Sequence, residues 1–181
     1  MGSFVLEGAA ETFLGDDALG EWLRENAELM VVPFVDYDGA QAGDQGKGRM
    51  PHDHNRDYLK FIYPETKAIT QWIATHANGS LHTFLDIHCP WIRAWANEKV
   101  YSPRKDPKIL PDVKIEKRFS ELLEKIQSGS MKYRAKNDIP FGVGWNSGKN
   151  HVQGWPAATW VGKTVKDLKI VRTFEIPFAN A

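Results

Sequence analysis

The chain has 181 residues, 23 basic side chains against 23 acidic ones, and a hydrophobic content of 42% that includes seven Trp and nine Phe. That suits one domain, residues 1–181, with one core; the charge balance excludes a global field that would gather nucleic acid or a membrane surface, and no apolar run is long enough to span a bilayer. The single cysteine, Cys89, excludes an intrachain disulfide framework and fits a reducing compartment. A cytoplasmic location is therefore expected, with secretion left open if residues precede Met1, since MGSFVLEG lacks the basic start and cleavage site of a signal peptide.

Leu6, Ala9, Ala10 and Phe13 recur at i, i+3, i+4 and i+7, which predicts a short helix whose apolar pattern is under way by Phe4 with no cap ahead of it. Such a beginning suggests an upstream part. Asp16 or Asp17 can cap a second helix with Leu19, Trp22 and Leu23 on its inner face. Leu29–Val35 is apolar apart from Pro33 and is expected to be a buried strand. From Val35 to Tyr58 the chain has no helical or strand period and carries four Gly, five Asp and two His, so a long loop of functional kind is expected.

Tyr63-Pro64-Glu65 starts a helix continued by Ile69, Trp72, Ile73 and His76 and ended by Asn78-Gly79. Leu81–Ile87 is a second buried-type strand. Residues 91–111 read as loops, with a short strand at Val100-Tyr101. Asp112 opens the clearest amphipathic helix, with Ile115, Phe119, Leu122, Leu123 and Ile126 on one face. Gly129–Pro156 is rich in glycine and loop-like, and Leu168–Ile176 closes the chain as a strand. The alternation predicts an α/β domain: a mixed, largely parallel sheet in which Leu29–Val35, Leu81–Ile87 and Leu168–Ile176 are neighbouring inner strands, with helices on both faces.

Some polar residues stand out from this frame. His88 ends a buried-type strand, where open α/β sheets place ligands, and neutral imidazole is a good zinc ligand. Glu175 lies between apolar neighbours in the last strand, unusual for a side chain rarely buried without a partner. Arg56 offers the two parallel donors that suit a carboxylate, and Asn55 adds an amide donor beside it. His52 and His54 form a His-x-His pair expected to be solvated in so polar a loop. Trp155 and Trp160 are core residues or the lining of a pocket.

These segments carry a resemblance. Asp53-His54-Asn55-Arg56 resembles the D-x-N-R element of the zinc metallocarboxypeptidases (carboxypeptidase A-like), and Val35-Asp36-Tyr37-Asp38-Gly39 is similar to the N-P-D-G turn before it, with Asp and Tyr in place of Asn and Pro. LDIHCP and RTFEIPFANA extend the likeness over nearly the whole chain, nearest to a bacterial branch with GDQGK…DHNRDY, LDIHCPWIR and FEIPFANA segments. The resemblance implies a three-layer α/β domain holding one Zn2+. It makes His88 a metal ligand and Glu175 the general base. Asn55 and Arg56 would grip the substrate's terminal carboxylate, Asp53 would orient a zinc-bound histidine, and Lys47 or Arg49 would polarise the scissile carbonyl.

The implied activity is zinc-dependent removal of carboxy-terminal residues from peptides, or deacylation of an N-acyl amino acid; the partner is a small molecule or peptide with a free carboxylate. Two departures stand against it. The family's His-x-x-Glu box, source of two zinc ligands, does not occur in these residues, so residues 1–181 correspond to the carboxy-terminal two-thirds of the catalytic domain. The mobile active-site tyrosine has no clear counterpart either, Tyr133 coming too early. The chain by itself is expected to be inactive and to bind zinc weakly. A non-catalytic module that holds a carboxylate without metal is the alternative, and the oligomeric state is not legible.

Overall fold

The computed structural model describes residues 2–44, 46–77, 79–91, 98–109 and 112–178 and mixes helix with strand. In chain order the elements are α1 (Gly2–Leu14), α2 (Ala18–Asn26), α3 (Tyr37–Gln41), α4 (Pro64–Trp72), β1 (Thr83–His88), α5 (Val113–Ile126), α6 (Ala157–Thr164) and β2 (Ile170–Glu175). β1 and β2 pair in parallel, Phe84 opposite Val171 and His88 opposite Glu175, as a two-stranded sheet. No helix among the described residues is long and apolar enough to cross a membrane.

Side chains alternate between the faces of a strand, and the core divides accordingly. Phe84 and Val171 pack with Ile73 and Ala77 after α4, and with Ala158 and Val161 of α6. Ile87 and Phe174, of opposite parity, pack with Phe119 and Leu123 of α5 and with Val100 and Tyr133. Helices therefore cover both faces of the pair.

The most deeply buried residues of α5 are polar. Asp112 caps the helix by accepting from the Lys114 and Ile115 amides, and the residues it buries are Glu116 and Ser120. Both reach across to Arg172 of β2, whose Nη1 lies 3.1 Å from Glu116 Oε2 and whose Nη2 lies 3.1 Å from Ser120 Oγ. Glu116 Oε1 also accepts from the Val171 amide at 3.0 Å, occupying the outer edge of β2. A buried ion pair is weak evidence of stability, but its geometry fixes how α5 sits on the strand.

Three expectations need correction. Leu29–Val35 forms no strand: it lies at the surface, with Leu29 44% and Phe34 47% exposed. Pro33 has no N–H to give a ladder, and its carbonyl accepts instead from the Ser3 hydroxyl at 3.2 Å. The largely parallel sheet of neighbouring inner strands is thus reduced to β1 and β2. On α2, capped by Asp17 through the Gly20 amide, Leu19 and Trp22 are exposed rather than inward-facing. Phe4 and Leu14 of α1 are exposed as well, so the first two helices present apolar surface to solvent. Asn78 and the last three residues of FEIPFANA lie outside the described residues.

Candidate functional site

The long loop is more regular than its composition suggests. Asp36 caps the short helix α3 by accepting from the Gly39 amide at 3.0 Å. The same carboxylate receives Arg49 Nε at 2.9 Å and Nη2 at 2.5 Å, a two-pronged clasp that ties Arg49 back to the start of α3. Gly39 has no side chain because a Cβ there would lie 2.3 Å from the Asp36 carboxylate.

His52 and His54 are not solvated, as their polar setting suggested, but buried at 6% and 8% exposure. For His52 the cause is Asp57, which accepts from His52 Nε2 (2.8 Å), the Ile62 amide (3.0 Å), the Tyr63 amide (2.9 Å) and the Thr66 hydroxyl (2.6 Å). His54 stacks on the Tyr63 ring with centroids 3.8 Å apart. This hub fastens the end of the loop to the first turn of α4.

Between the two units lies the turn His54–Arg56. Asp53 caps it by accepting from the Asn55 amide at 2.6 Å. Asn55 Oδ1 accepts from the Ala157 amide at the start of α6 (2.9 Å), and its Nδ2 lies 3.1 Å from His88 Nε2. Arg56 donates through Nε to the Asn150 carbonyl (2.8 Å) and through Nη1 to the Asn55 carbonyl (2.7 Å); Nη2 has no acceptor among the described residues. The glycine-rich segment passes over Arg56 so closely that a Cβ on Gly154, at φ 154°, would approach the Arg56 carbonyl to 2.0 Å. Only glycine permits that approach.

His88 and Glu175 are register partners at the carboxyl ends of β1 and β2. Asp86, two residues before His88 on the same face, lies 2.8 Å from His88 Nε2. Burial opposes the charge on His88, but Asp86 outweighs it and raises the imidazole to about 9. Burial likewise works against Asp86, and His88 holds its carboxyl below the usual range. Glu175 differs: its Oε2 is buried without a hydrogen-bond partner among the described residues, and burial lifts its carboxyl above the usual range against the pull of His88, Lys47 and Lys105.

Of the two cations left open, Arg49 is committed to Asp36, whereas Lys47 acts electrostatically on Glu175 and lies 5.8 Å above the Trp91 ring. Arg56 also feels Glu175 and Asp86; burial lowers its hold on the proton while Asp53, Asp86 and Glu175 restore it. The structure therefore brings Asn55, Arg56, His88 and Glu175 together, with Lys47 acting on Glu175 through its charge, and uses Asp53 as a turn cap and Arg49 as a loop clasp. Trp160 packs against the core, and Tyr133 donates to Asp138 at 2.8 Å.

Sequence reasoning missed two members of the cluster. Lys105, in a stretch that reads as a plain turn, acts electrostatically on Asp86, Glu175 and Arg56. In the glycine-rich segment, burial and then the charges of Arg56 and Lys105 push the His151 ring down to about 4. Glycine density around 142–154 was the one signal, since it marks backbone that must pass close to something.

The donor set does not fit zinc. Among the described residues no three His, Cys, Asp or Glu side chains could together hold a metal ion. His88 Nε2 is engaged by Asp86, and catalytic zinc takes three protein ligands. Comparison with protein-family models, curated proteins and solved structures finds no match to this chain.

Proposed function

We propose that this chain carries the substrate-holding and proton-accepting part of a hydrolytic site of the zinc metallocarboxypeptidase kind, acting at the free carboxylate end of a peptide or an N-acyl amino acid. The three-layer α/β arrangement of that family belongs to the same proposal. The observation that carries it is the pairing of His88 with Glu175 at the ends of two parallel strands, with Arg56 brought to them by a separate loop. Arg56 keeps Nη2 for a ligand oxygen, and Lys47 and Lys105 supply further positive charge. Glu175, desolvated and holding its proton more tightly than an exposed carboxylate, is suited to take a proton from water. Any zinc in a longer protein would need ligands beyond the described residues, so these residues alone are expected to show no peptidase turnover and only weak zinc binding.

The tie between Asp86 and His88 favours a second reading, a carboxylate-binding module without metal. Calorimetric titration with N-acetyl-L-leucine and its amide tests the part common to both. The free acid should bind more tightly, and R56A should weaken it by about thirtyfold or more, as for loss of a partner from a buried charge pair. An equal effect of R56A on acid and amide refutes the assignment. Tight stoichiometric zinc in the same protein would overturn the statement that its donor set is incomplete.

A further inference from the structure

Tyr101 exchanges both backbone hydrogen bonds with Glu175, at 3.3 and 2.9 Å, which holds the run leading to Lys105 against the edge of β2. The same run is pinned to a second one. The Ile139 amide donates to the Ser102 carbonyl at 3.0 Å, and the Arg104 amide donates to the Ile139 carbonyl at 2.9 Å. Asn146 Nδ2 locks the two together by donating to the carbonyls of Arg104 (2.9 Å) and Ile139 (2.8 Å). These two runs and the first turns of α5 wall a cavity of about 390 Å³, within the range that suits a small ligand.

Its most deeply buried lining is the pair Glu116 and Arg172, 3% and 2% exposed and 3.1 Å apart. Pro107, Val113, Pro140 and Phe141 give it apolar walls. Asn55, Arg56, His88 and Glu175 do not line it, so it is a place apart from the one they form. The cations that line it can be matched with carboxylates. Arg172 has Glu116, Arg104 Nη2 lies 2.5 Å from Asp138, and Lys117 lies 3.8 Å from Glu121. Glu116 has no oxygen to spare, since Oε1 accepts from the Val171 amide. Lys105, half-buried in the same wall, makes no ion pair or hydrogen bond among the described residues. Four cations thus stand against three carboxylates, and one negative charge is wanting.

We infer that this cavity binds an organic monocarboxylate with an apolar body, the carboxylate on the Lys105 ammonium and the body between Phe141, Pro140 and Val113. One negative charge completes the lining, whereas a dianion would carry one too many. A small bare anion would leave the apolar walls wet, and a neutral ring would leave Lys105 without a partner. Burial pushes the Lys105 ammonium down to about 8 against the pull of Asp86 and Glu175. It has lost hydration there, and a carboxylate would replace what was lost.

The test compares phenylacetate with phenylacetamide and with acetate by calorimetry on the 181-residue chain. Phenylacetate should bind about tenfold or more tightly than either, and K105M should reduce it to the level of the amide. R56A should leave phenylacetate binding as it is, which separates this cavity from the place proposed for N-acetyl-L-leucine. On the unaltered protein, nuclear magnetic resonance should show Overhauser contacts from the phenylacetate ring to the Phe141 ring and the Val113 methyls. Equal affinity for acid and amide, a loss on R56A instead of K105M, or ring contacts at His88 instead of Phe141 overturns the inference. Absence of phenylacetate binding overturns it too, while leaving the Arg56 reading intact. The ring contacts decide the matter even if K105M fails to fold.

Discussion

Two carboxylates inside this molecule have been treated in opposite ways. Asp57, at 0% exposure, receives four donors from the loop, from the turn after it and from α4. Burial alone would raise its carboxyl; the donors outweigh burial and hold it below the usual range. Glu175 has a buried oxygen with no donor among the described residues, and there burial wins. Depth is therefore a poor guide to what an acidic side chain does. A carboxylate whose lone pairs are filled is a fastening, whereas one left short of partners keeps the capacity to take a proton or a ligand, at a cost in stability.

The sharpest way to break this contrast is D57A. It strands two amides, a hydroxyl and an imidazole N–H in a closed space, and should cost about 3–5 kcal/mol, read as a fall in the urea midpoint. The pH dependence has a definite sign. Because the folded value is depressed, Asp57 contributes stability that is fully present above its unfolded value, about 3.9, and lost as pH falls through the folded value. The gap between wild type and D57N should therefore narrow as the medium is acidified below about 4. A gap independent of pH would mean that Asp57 acts through packing alone.

A smaller effect is expected from R49M. The clasp on Asp36 is short and two-pronged, but it lies at the surface of the loop, with 29% and 20% of the two side chains exposed. R49M should loosen residues 36–49, seen as faster amide exchange at Gly39 and Ala40, and lower the urea midpoint less than D57A. A loss as large as that of D57A would show that the loop clasp, and not the Asp57 hub, organises the segment.

Much of the framework could be read in advance where one residue type answers one local need. Asp112 before Ile115 and Phe119 marked α5, Tyr63-Pro64-Glu65 marked α4, and the apolar runs Leu81–Ile87 and Leu168–Ile176 marked the strands that form at Thr83–His88 and Ile170–Glu175. Leu29–Val35 was misread because apolar content expresses a preference for burial, whereas a strand also needs a neighbour with free N–H and C=O groups. The same distinction governed the site. Arg56, Asn55, His88 and Glu175 were noticeable individually, as polar groups in positions that need a reason. Lys105 and His151 were not, because their significance arises only when Gly154 lets one loop press on Arg56 and Tyr101 lays another along β2. Burial of His52 and His54 was hidden likewise, since it depends on where Asp57 finds its donors and on the Tyr63 ring that His54 stacks against.

The smallest change should come from E175Q, and it should run the other way. Replacing a carboxylate whose Oε2 is buried without a partner among the described residues by a neutral amide removes a desolvation cost, a gain on the order of 1 kcal/mol at neutral pH. Here the folded carboxyl is raised, so the stability it contributes is fully present below its unfolded value and is lost as pH rises through the folded one. Glutamine does not titrate, so E175Q and wild type should have similar urea midpoints in acid and separate as pH rises, with the variant the more stable. The same replacement takes a negative charge away from Arg56 and Lys105, and should tighten binding of N-acetyl-L-leucine. An E175Q protein that is less stable at every pH would place Glu175 with Asp57 among the fastenings, and the proton-accepting role would have to move elsewhere.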